Sequence, residues 1–270
     1  MQTSIEKLNV KFNKGLHVCV GLDTDINKIP KHFLRYSDPV FEFNKTVIEN
    51  TADETAAFKI NFAFYERDGA KGIENLSRTK ELIPNDVFTI ADAKRGDIGN
   101  TSQMYAESVF DHLNFDSVTL HPYMGYDSLS PFLNYQNKFS FILALTSNPG
   151  SADFEKLQLS NGRFLFQEII EKVKSWNSNN NCGIVFGATN EIELQENVAN
   201  FAKLPVLVPG VGTQGGNLKK IKKIFQNQAK LDYLINISRN LLYCDGSEKF
   251  PETLKKVLGE YNETIRNVSE

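Results

Sequence analysis

Cysteine is scarce, with Cys19, Cys182 and Cys244 the only three in 270 residues. They stand far apart, with no CxxC pair and no histidine at zinc-ligand spacing. This argues against a disulfide scaffold or a structural zinc and points to a reducing, cytoplasmic home. Long apolar runs are also missing. The longest, 139–145 and 205–211, fall far short of the roughly 20 residues that span a bilayer. The opening MQTSIEKLNVKFNKG lacks the apolar run of about seven or more residues that a secretory signal requires. Neither a membrane anchor nor export is expected. No charge of one sign dominates: 30 Lys and Arg against 33 Asp and Glu leave a net charge of −3. With the two signs interspersed there is no polyanion-binding face, and nucleic acid is not expected as a partner. His17, His32, His112 and His121 are the only histidines; no two have metal-ligand spacing, and no metal is expected. Internal repeats are absent, and the one low-complexity patch, Asn-rich 177–181, reads as a solvated loop.

What is present is a rhythm. Short apolar or β-branched runs bounded by turn residues occur at His17–Leu22, Ala56–Asn61, Val87–Ala91, Ser117–Leu120, Phe141–Thr146, Gly183–Gly187, Val206–Pro209 and Asp232–Ile237. Segments of helical period lie between them, at Pro39–Thr51, Gly69–Leu82, Asn100–Leu113, Phe164–Trp176, Glu191–Phe201 and Asn217–Ala229. Parallel neighbours need crossover connections, so this alternation predicts a parallel sheet, and eight repeats of the unit close a barrel. We therefore expect an α/β fold, a (β/α)8 barrel, as one domain over 1–270, with a doubly wound open sheet as the structural alternative.

In such a barrel the chemistry sits at the carboxyl ends of the strands. Strand one ends in Gly21-Leu22-Asp23-Thr24-Asp25, strand two carries Lys59 and Asn61, and strand three runs into Asp92-Ala93-Lys94-Arg95-Gly96-Asp97. Asp92 and Lys94, two apart, project from the same side of an extended strand. A lysine among carboxylates stays an ammonium, because an opposite charge at about 4 Å is worth roughly 4 kcal/mol at an effective dielectric near 20. With Lys59 on the preceding strand, a Lys-Asp-Lys-Asp network is expected; the bland alternative is a salt-bridged rim. After strand seven, Gly210, Gly212, Gly215 and Gly216 let backbone amides approach an anion, the next helix offers its positive end, and Arg239 adds a bidentate clamp. Together they suggest a phosphorylated ligand, although a glycine-rich loop alone is also an ordinary turn. Asp23 and Lys59 suit sugar hydroxyls, and Ser147 a base edge, in a stretch that is equally a good turn sequence. His121 is as readily structural as catalytic.

With these residues in place the chain resembles the orotidine 5'-phosphate decarboxylases, in their longer bacterial (type 2) form. The likeness runs through VGLDTD (20–25), FKINFAFYE (58–66), DAKRGDIGNTSQMYA (92–106), HPYMGYDSLSPFL (121–133), TSNPGSADFE (146–155), GATNEIEL (187–194), PVLVPGVGTQGG (205–216) and ISRN (237–240). The DxKxxD core within DAKRGDIGNT is its most specific part; Thr24 and His121 stand where proline and asparagine would be expected. The resemblance implies decarboxylation of orotidine 5'-phosphate to UMP in pyrimidine synthesis without metal or organic cofactor. It makes Lys94 the proton donor to C6, in a catalytic group with Asp92, Asp97 and Lys59. It assigns Asp23 and Lys59 to the ribose, Ser147 to the pyrimidine, and Gln214 and Arg239 to the phosphate, beneath a loop from Pro209 to Asn217. It also implies a homodimer in which Asp97, Ile98 and Thr101 reach the neighbouring site. The rivals are a metal-dependent barrel acting on sugar phosphates and a silent nucleotide-binding barrel. The 151–162 segment is either an extra lid or a dimer-face loop.

Overall fold

A computed structural model describes residues 2–212, 214–228 and 232–267. Of the expectations above, Thr213 in the glycine-rich loop, Ala229 at a helix end, and both extreme ends of the 1–270 span lie outside the described residues. Eight parallel strands close into a barrel in sequence order. They are β1 (Val18–Leu22), β2 (Ala57–Asn61), β3 (Phe88–Arg95), β4 (Ser117–Leu120), β5 (Phe139–Leu145), β6 (Cys182–Phe186), β7 (Val206–Val208) and β8 (Tyr233–Ile237). β8 pairs back onto β1, with Cys19 opposite Asn236, so no sheet edge remains. The open sheet is thereby ruled out.

Strand alternation builds two concentric cores. Val18, Val20 and Leu22 of β1, with Phe58 and Ile60 of β2, pack outward into the shell shared with the helices. Cys19, Ala57, Phe88, Ile90, Phe139, Phe141, Val185, Leu207 and Leu234 fill the barrel interior. Phe139 and Phe141 meet edge-on at 5.0 Å between ring centroids, and burial of this kind makes a Phe-to-Ala change cost roughly 3–5 kcal/mol.

The helices obey their own period. Over Pro39–Thr51, Val40, Phe43, Asn44, Val47, Ile48 and Thr51 are buried, Pro39 sits in the first turn, and the Asp38 carboxylate accepts from the Phe41 amide. Two helices outside the expected set shape the ends of the molecule. The Ser4–Asn13 helix starts in a capping box between Thr3 and Glu6. Its Leu8, with Ile5 and Phe12 beside it, joins the interior core and stoppers the barrel at the end remote from the carboxyl ends of the strands. The Phe250–Arg266 helix buries Phe250, Leu254, Leu258, Asn262 and Ile265 and packs Phe250 against Phe43 in a tilted pair at 5.1 Å between ring centroids. Among the described residues no helix is long and apolar enough to cross a membrane.

Candidate active site

The inward-facing positions turn polar at the top of the barrel. Ala57 is followed inward by Lys59, Ile90 by Asp92, Ser117 by Thr119, and Leu234 by Asn236. Together with Leu143, Val185 and Leu207 these line a cavity of about 360 Å³, whose mouth is framed by Asp23, Lys94, Ser147, Pro209, Gln214 and Arg239. Eight of the residues expected from the sequence are thus brought together.

Lys59 is the hub. It is 4% exposed, and its ammonium donates to Asp92 Oδ2 at 2.8 Å and to Asp23 Oδ1 at 3.2 Å. Burial pulls its pKa down most strongly, but the two carboxylates and the hydrogen bond to Asp92 outweigh that, and the net direction is upward. Asp92, 9% exposed, is the mirror case. Burial pushes its pKa up, the charges of Lys59 and Lys94 and their hydrogen bonds pull harder, and the carboxyl ends well below its usual range. Both groups are therefore ionised at neutral pH. Beneath them the Cys19 thiol is pushed up to about 12, chiefly by burial, so it stays protonated.

Lys94 completes the array in an unexpected way. Its Nζ lies 2.5 Å from Asp92 Oδ1, yet its backbone is not extended, with φ at +46°. The two-residue spacing explains why Asp92 follows Phe88 and Ile90 inward. It does not explain Lys94, which reaches Asp92 from a left-handed backbone that costs a non-glycine residue roughly 1–3 kcal/mol. Its side chain remains 51% exposed. Asp23 thus provides the second carboxylate of the network. Within this one chain Asp97 lies outside the array, its carboxylate accepting from the Ile98 amide at 2.8 Å. None of Asp97, Ile98 and Thr101 lines the cavity, and Ile98 is 57% exposed.

The loop carrying Asp23 is braced from two sides. Tyr243 Oη donates to the Asp23 carbonyl at 3.1 Å and accepts from the Asp25 amide at 2.9 Å. Thr24 donates to Asn44 Oδ1 at 2.6 Å, and Asn44 donates in turn to Tyr65 and Thr79. A proline at position 24 would lack this hydroxyl. The 151–162 segment also gains a role. It begins as a short helix, Ser151–Phe154, and folds back through a bridge between Gln158 and Phe164. This delivers the Glu155 carboxylate to the Thr146 amide at 2.6 Å and to its hydroxyl at 2.9 Å, fixing the turn that bears Ser147.

Ser147 Oγ donates across the mouth to Gln214 Oε1 at 2.8 Å, joining the loops after β5 and β7. The glycines of the β7 loop shape the loop itself. Gly210 and Gly212 have φ of +97° and +81°, and a Cβ on Gly212 would fall 2.4 Å from Asn240 Nδ2. The amides of Gly212, Gly215 and Gly216 donate to loop carbonyls at 3.1, 2.8 and 3.0 Å. The Leu218–Gln226 helix is capped by Asn217, and Glu191 accepts from the Asn217 amide at 3.3 Å while pairing with Lys220 at 2.8 Å. The helix end thus already faces a carboxylate. Arg239 opens a short helix, Arg239–Leu242, beside the cavity and makes no ion pair among the described residues. His121 stays out of the cavity: its amide donates to the Arg95 carbonyl at 3.1 Å, and its ring packs so closely on Gly96 that a Cβ there would lie 2.5 Å from Nε2.

Residues that sequence reasoning passed over are Thr119, Tyr243 and Glu155. A threonine two places after Ser117, in a strand whose other side is apolar, was the available signal for Thr119; nothing local marks the other two.

Comparison with known proteins agrees with this geometry. The sequence profile of the Orotidine 5'-phosphate decarboxylase / HUMPS family matches residues 16–247. The chain is 46% identical over 241 residues to orotidine 5'-phosphate decarboxylase of Herpetosiphon aurantiacus, covering 89% of each chain. Among solved structures it is similar to Leishmania donovani OMP decarboxylase, with TM-score 0.83, 34% identity and coverage of 99% of this chain and 100% of that one. Leishmania donovani UMP synthase superposes with TM-score 0.84 at 36% identity, where 98% of this chain spans 57% of the longer one. Closed barrel, charged mouth and sequence likeness over most of its length converge: the chain belongs to the orotidine 5'-phosphate decarboxylase family.

Proposed function

We propose that the protein converts orotidine 5'-phosphate to UMP and CO2, the closing step of pyrimidine nucleotide synthesis, with Lys94 as proton donor. The observation that carries this reading is the Lys94 ammonium held 2.5 Å from Asp92 at the mouth of a cavity that also holds Arg239. In the reaction the C6–carboxylate bond breaks, CO2 leaves, and the electron pair stays on C6, where no adjacent carbonyl delocalises it. A fixed positive charge must stabilise that carbanion. Lys94 supplies the charge and then the proton, forming the C6–H bond and leaving a neutral amine that recovers its proton from solvent. Asp92 holds Lys94 in place and lies beside the leaving carboxylate, where like-charge repulsion raises the ground state as a secondary effect.

Asp23 and Lys59 serve the ribose hydroxyls, Ser147 the pyrimidine edge, and Gln214 and Arg239 the phosphate under the loop that begins at Pro209. With the amides of Gly212, Gly215 and Gly216 engaged within that loop, the Gln214 and Arg239 side chains are the phosphate's main partners in this reading. A cytoplasmic homodimer is part of the proposal. Ile98, Met104, Tyr105, Tyr123, Met124 and Tyr126 are all exposed, Tyr123 to 84%; the first three flank or lie on the Gly99–Glu107 helix that carries Thr101, and the last three lie after β4, where the Tyr126–Leu133 helix is joined to it by Ser102 Oγ donating to the Ser128 carbonyl. A patch of this kind suits a partner copy that receives Asp97, Ile98 and Thr101 into its own site.

The test is the loss of ultraviolet absorbance when orotidine 5'-phosphate is added to purified protein in EDTA. Rapid conversion to UMP supports the reading, and Lys94→Ala should abolish conversion while leaving UMP binding largely intact. Tight UMP binding without conversion by the unaltered protein would overturn it in favour of a silent nucleotide-binding barrel. Turnover that needs added divalent metal would favour the sugar-phosphate chemistry of related barrels.

A further inference from the structure

The register between β3 and β4 breaks at the reactive residues. Ile90 pairs with Ser117 and Ala91 with Val118, but the next pair is Arg95 with Leu120. Three residues of β3, Asp92, Ala93 and Lys94, therefore face a single residue of β4, Thr119. A bulge of this kind leaves ladder groups without their regular partners and re-aims side chains. Thr119, 2% exposed, takes over from the ladder. Its Oγ1 accepts from the Lys94 amide at 3.0 Å and donates to Asp92 Oδ1 at 3.1 Å. The polarity of this link is fixed. An amide can only donate, so the hydroxyl must accept from it, and its one proton is committed to the carboxylate. That carboxylate oxygen is the one Lys94 Nζ contacts at 2.5 Å. Backbone, hydroxyl, carboxylate and ammonium thus form a closed ring around the left-handed Lys94.

We propose that Thr119 is a positioning residue for the proton donor: it holds Lys94 in its left-handed backbone and fixes the Asp92 oxygen on which the ammonium rests. The inference builds on the proposed function. It also gives Thr119 a task during turnover. When Lys94 has lost its proton, Thr119 still donates to Asp92 Oδ1, so the carboxylate keeps its orientation until the ammonium is restored.

The test compares Thr119→Val, which keeps the shape and removes the hydroxyl, with Thr119→Ser, which keeps the hydroxyl. Misplacing a catalytic group by about 1 Å costs on the order of 10²-fold. Thr119→Val should lower kcat by roughly 10–100-fold, leave UMP affinity within about threefold, and speed hydrogen exchange at the Lys94 amide. Thr119→Ser should recover most of kcat and the slow exchange. Unchanged kcat in Thr119→Val, equal impairment of both variants, or a parallel loss of kcat and UMP affinity would each overturn the inference. An unaltered protein that does not decarboxylate orotidine 5'-phosphate removes the proposed function and this inference together, whereas an active protein indifferent to Thr119→Val removes the inference alone.

Discussion

Replacing Lys59 by methionine is the sharpest probe of the charged array, because it removes the buried cation and keeps much of the volume. Lys59 bridges Asp92 at 2.8 Å and Asp23 at 3.2 Å. Without it, Asp92 keeps only Lys94 and the Thr119 hydroxyl, and Asp23 turns to water. Breaking a buried ion pair typically costs 3–5 kcal/mol. Since Asp92 retains two partners, the lower end, about 3 kcal/mol, is expected. At roughly 2–4 °C per kcal/mol for a chain of this size, Tm should fall by about 6–12 °C near neutral pH, read by circular dichroism. Adding Asp92→Asn to Lys59→Met should cost less than the sum of the single changes, with a coupling above about 1 kcal/mol. The unaltered pair should be silent over a wide pH range. Asp92 has a lowered pKa, so its contribution is complete above the ordinary carboxylate value of about 3.9 and is lost only as pH falls through its folded value below that. Lys59 has a raised pKa, so its contribution is complete below about 10.4 and is lost only as pH rises through a still higher value. A Tm change under 2 °C, or strictly additive single changes, would refute the account of Lys59 as the hub.

Further outcomes follow from other contacts. His17 is stacked between Phe12 and Tyr233, with Nδ1 3.0 Å from the Tyr233 carbonyl, and burial lowers its pKa despite that carbonyl. The unfolded chain therefore takes up the proton more readily, and stability should drop as pH falls below about 6.5; His17→Phe should flatten the difference in unfolding free energy between pH 7.5 and 5.5, measured with urea. A Cβ on Gly21 would lie 2.0 Å from Ser238 Oγ, so Gly21→Ala should cost roughly 1–3 kcal/mol and weaken UMP binding, with Ser238→Gly restoring both. Arg239→Ala should lower kcat/KM for the nucleotide by about 10²-fold, as expected for losing a charge-assisted clamp worth roughly 3 kcal/mol. Its effect on the nucleoside should be small; equal losses on both substrates would dissociate Arg239 from the phosphate.

The barrel is legible in the sequence because each strand is a short run rich in apolar or β-branched residues and bounded by turn residues, so all eight runs stand out. Their ends are less so. β3 reads as finishing at Ala91, whereas it continues to Arg95, since Asp92 and Lys94 are strand residues that do not look like strand. β5 begins at Phe139, two places before the expected start at Phe141 and at the head of the apolar run 139–145. The Ser4–Asn13 helix carried a legible signal, Thr3 three residues before Glu6, and the Phe250–Arg266 helix carried Phe250, Leu254 and Leu258 at four-residue spacing. Asp23, Lys59, Asp92, Lys94, Ser147 and Arg239 were readable from strand ends, and Pro209 and Gln214 from the resemblance. What holds them was not: Thr119 acquires its role from a register break, Tyr243 closes a contact across 218 positions of chain, and the engagement of the β7-loop glycines depends on turns within the loop. Each is a non-local or backbone property with no local pattern to carry it.

The stopper formed by the Ser4–Asn13 helix has an electrical consequence. Below the charged layer the barrel is filled with Phe88, Phe139, Phe141, Leu234 and Leu8, a poorly polarisable plug, so field lines from the charged side chains cannot spread downward and emerge through the open mouth. Of the charged residues around that mouth, Lys59, Lys94 and Arg239 outnumber Asp23 and Asp92 by three to two, a surplus of one positive charge on a chain whose net charge is −3. Low-dielectric walls focus such a potential into a funnel. The net charge of the chain repels a dianionic or trianionic ligand while this aperture attracts one, so anions are drawn toward the barrel mouth, and the capture rate falls as salt collapses the funnel toward the Debye length.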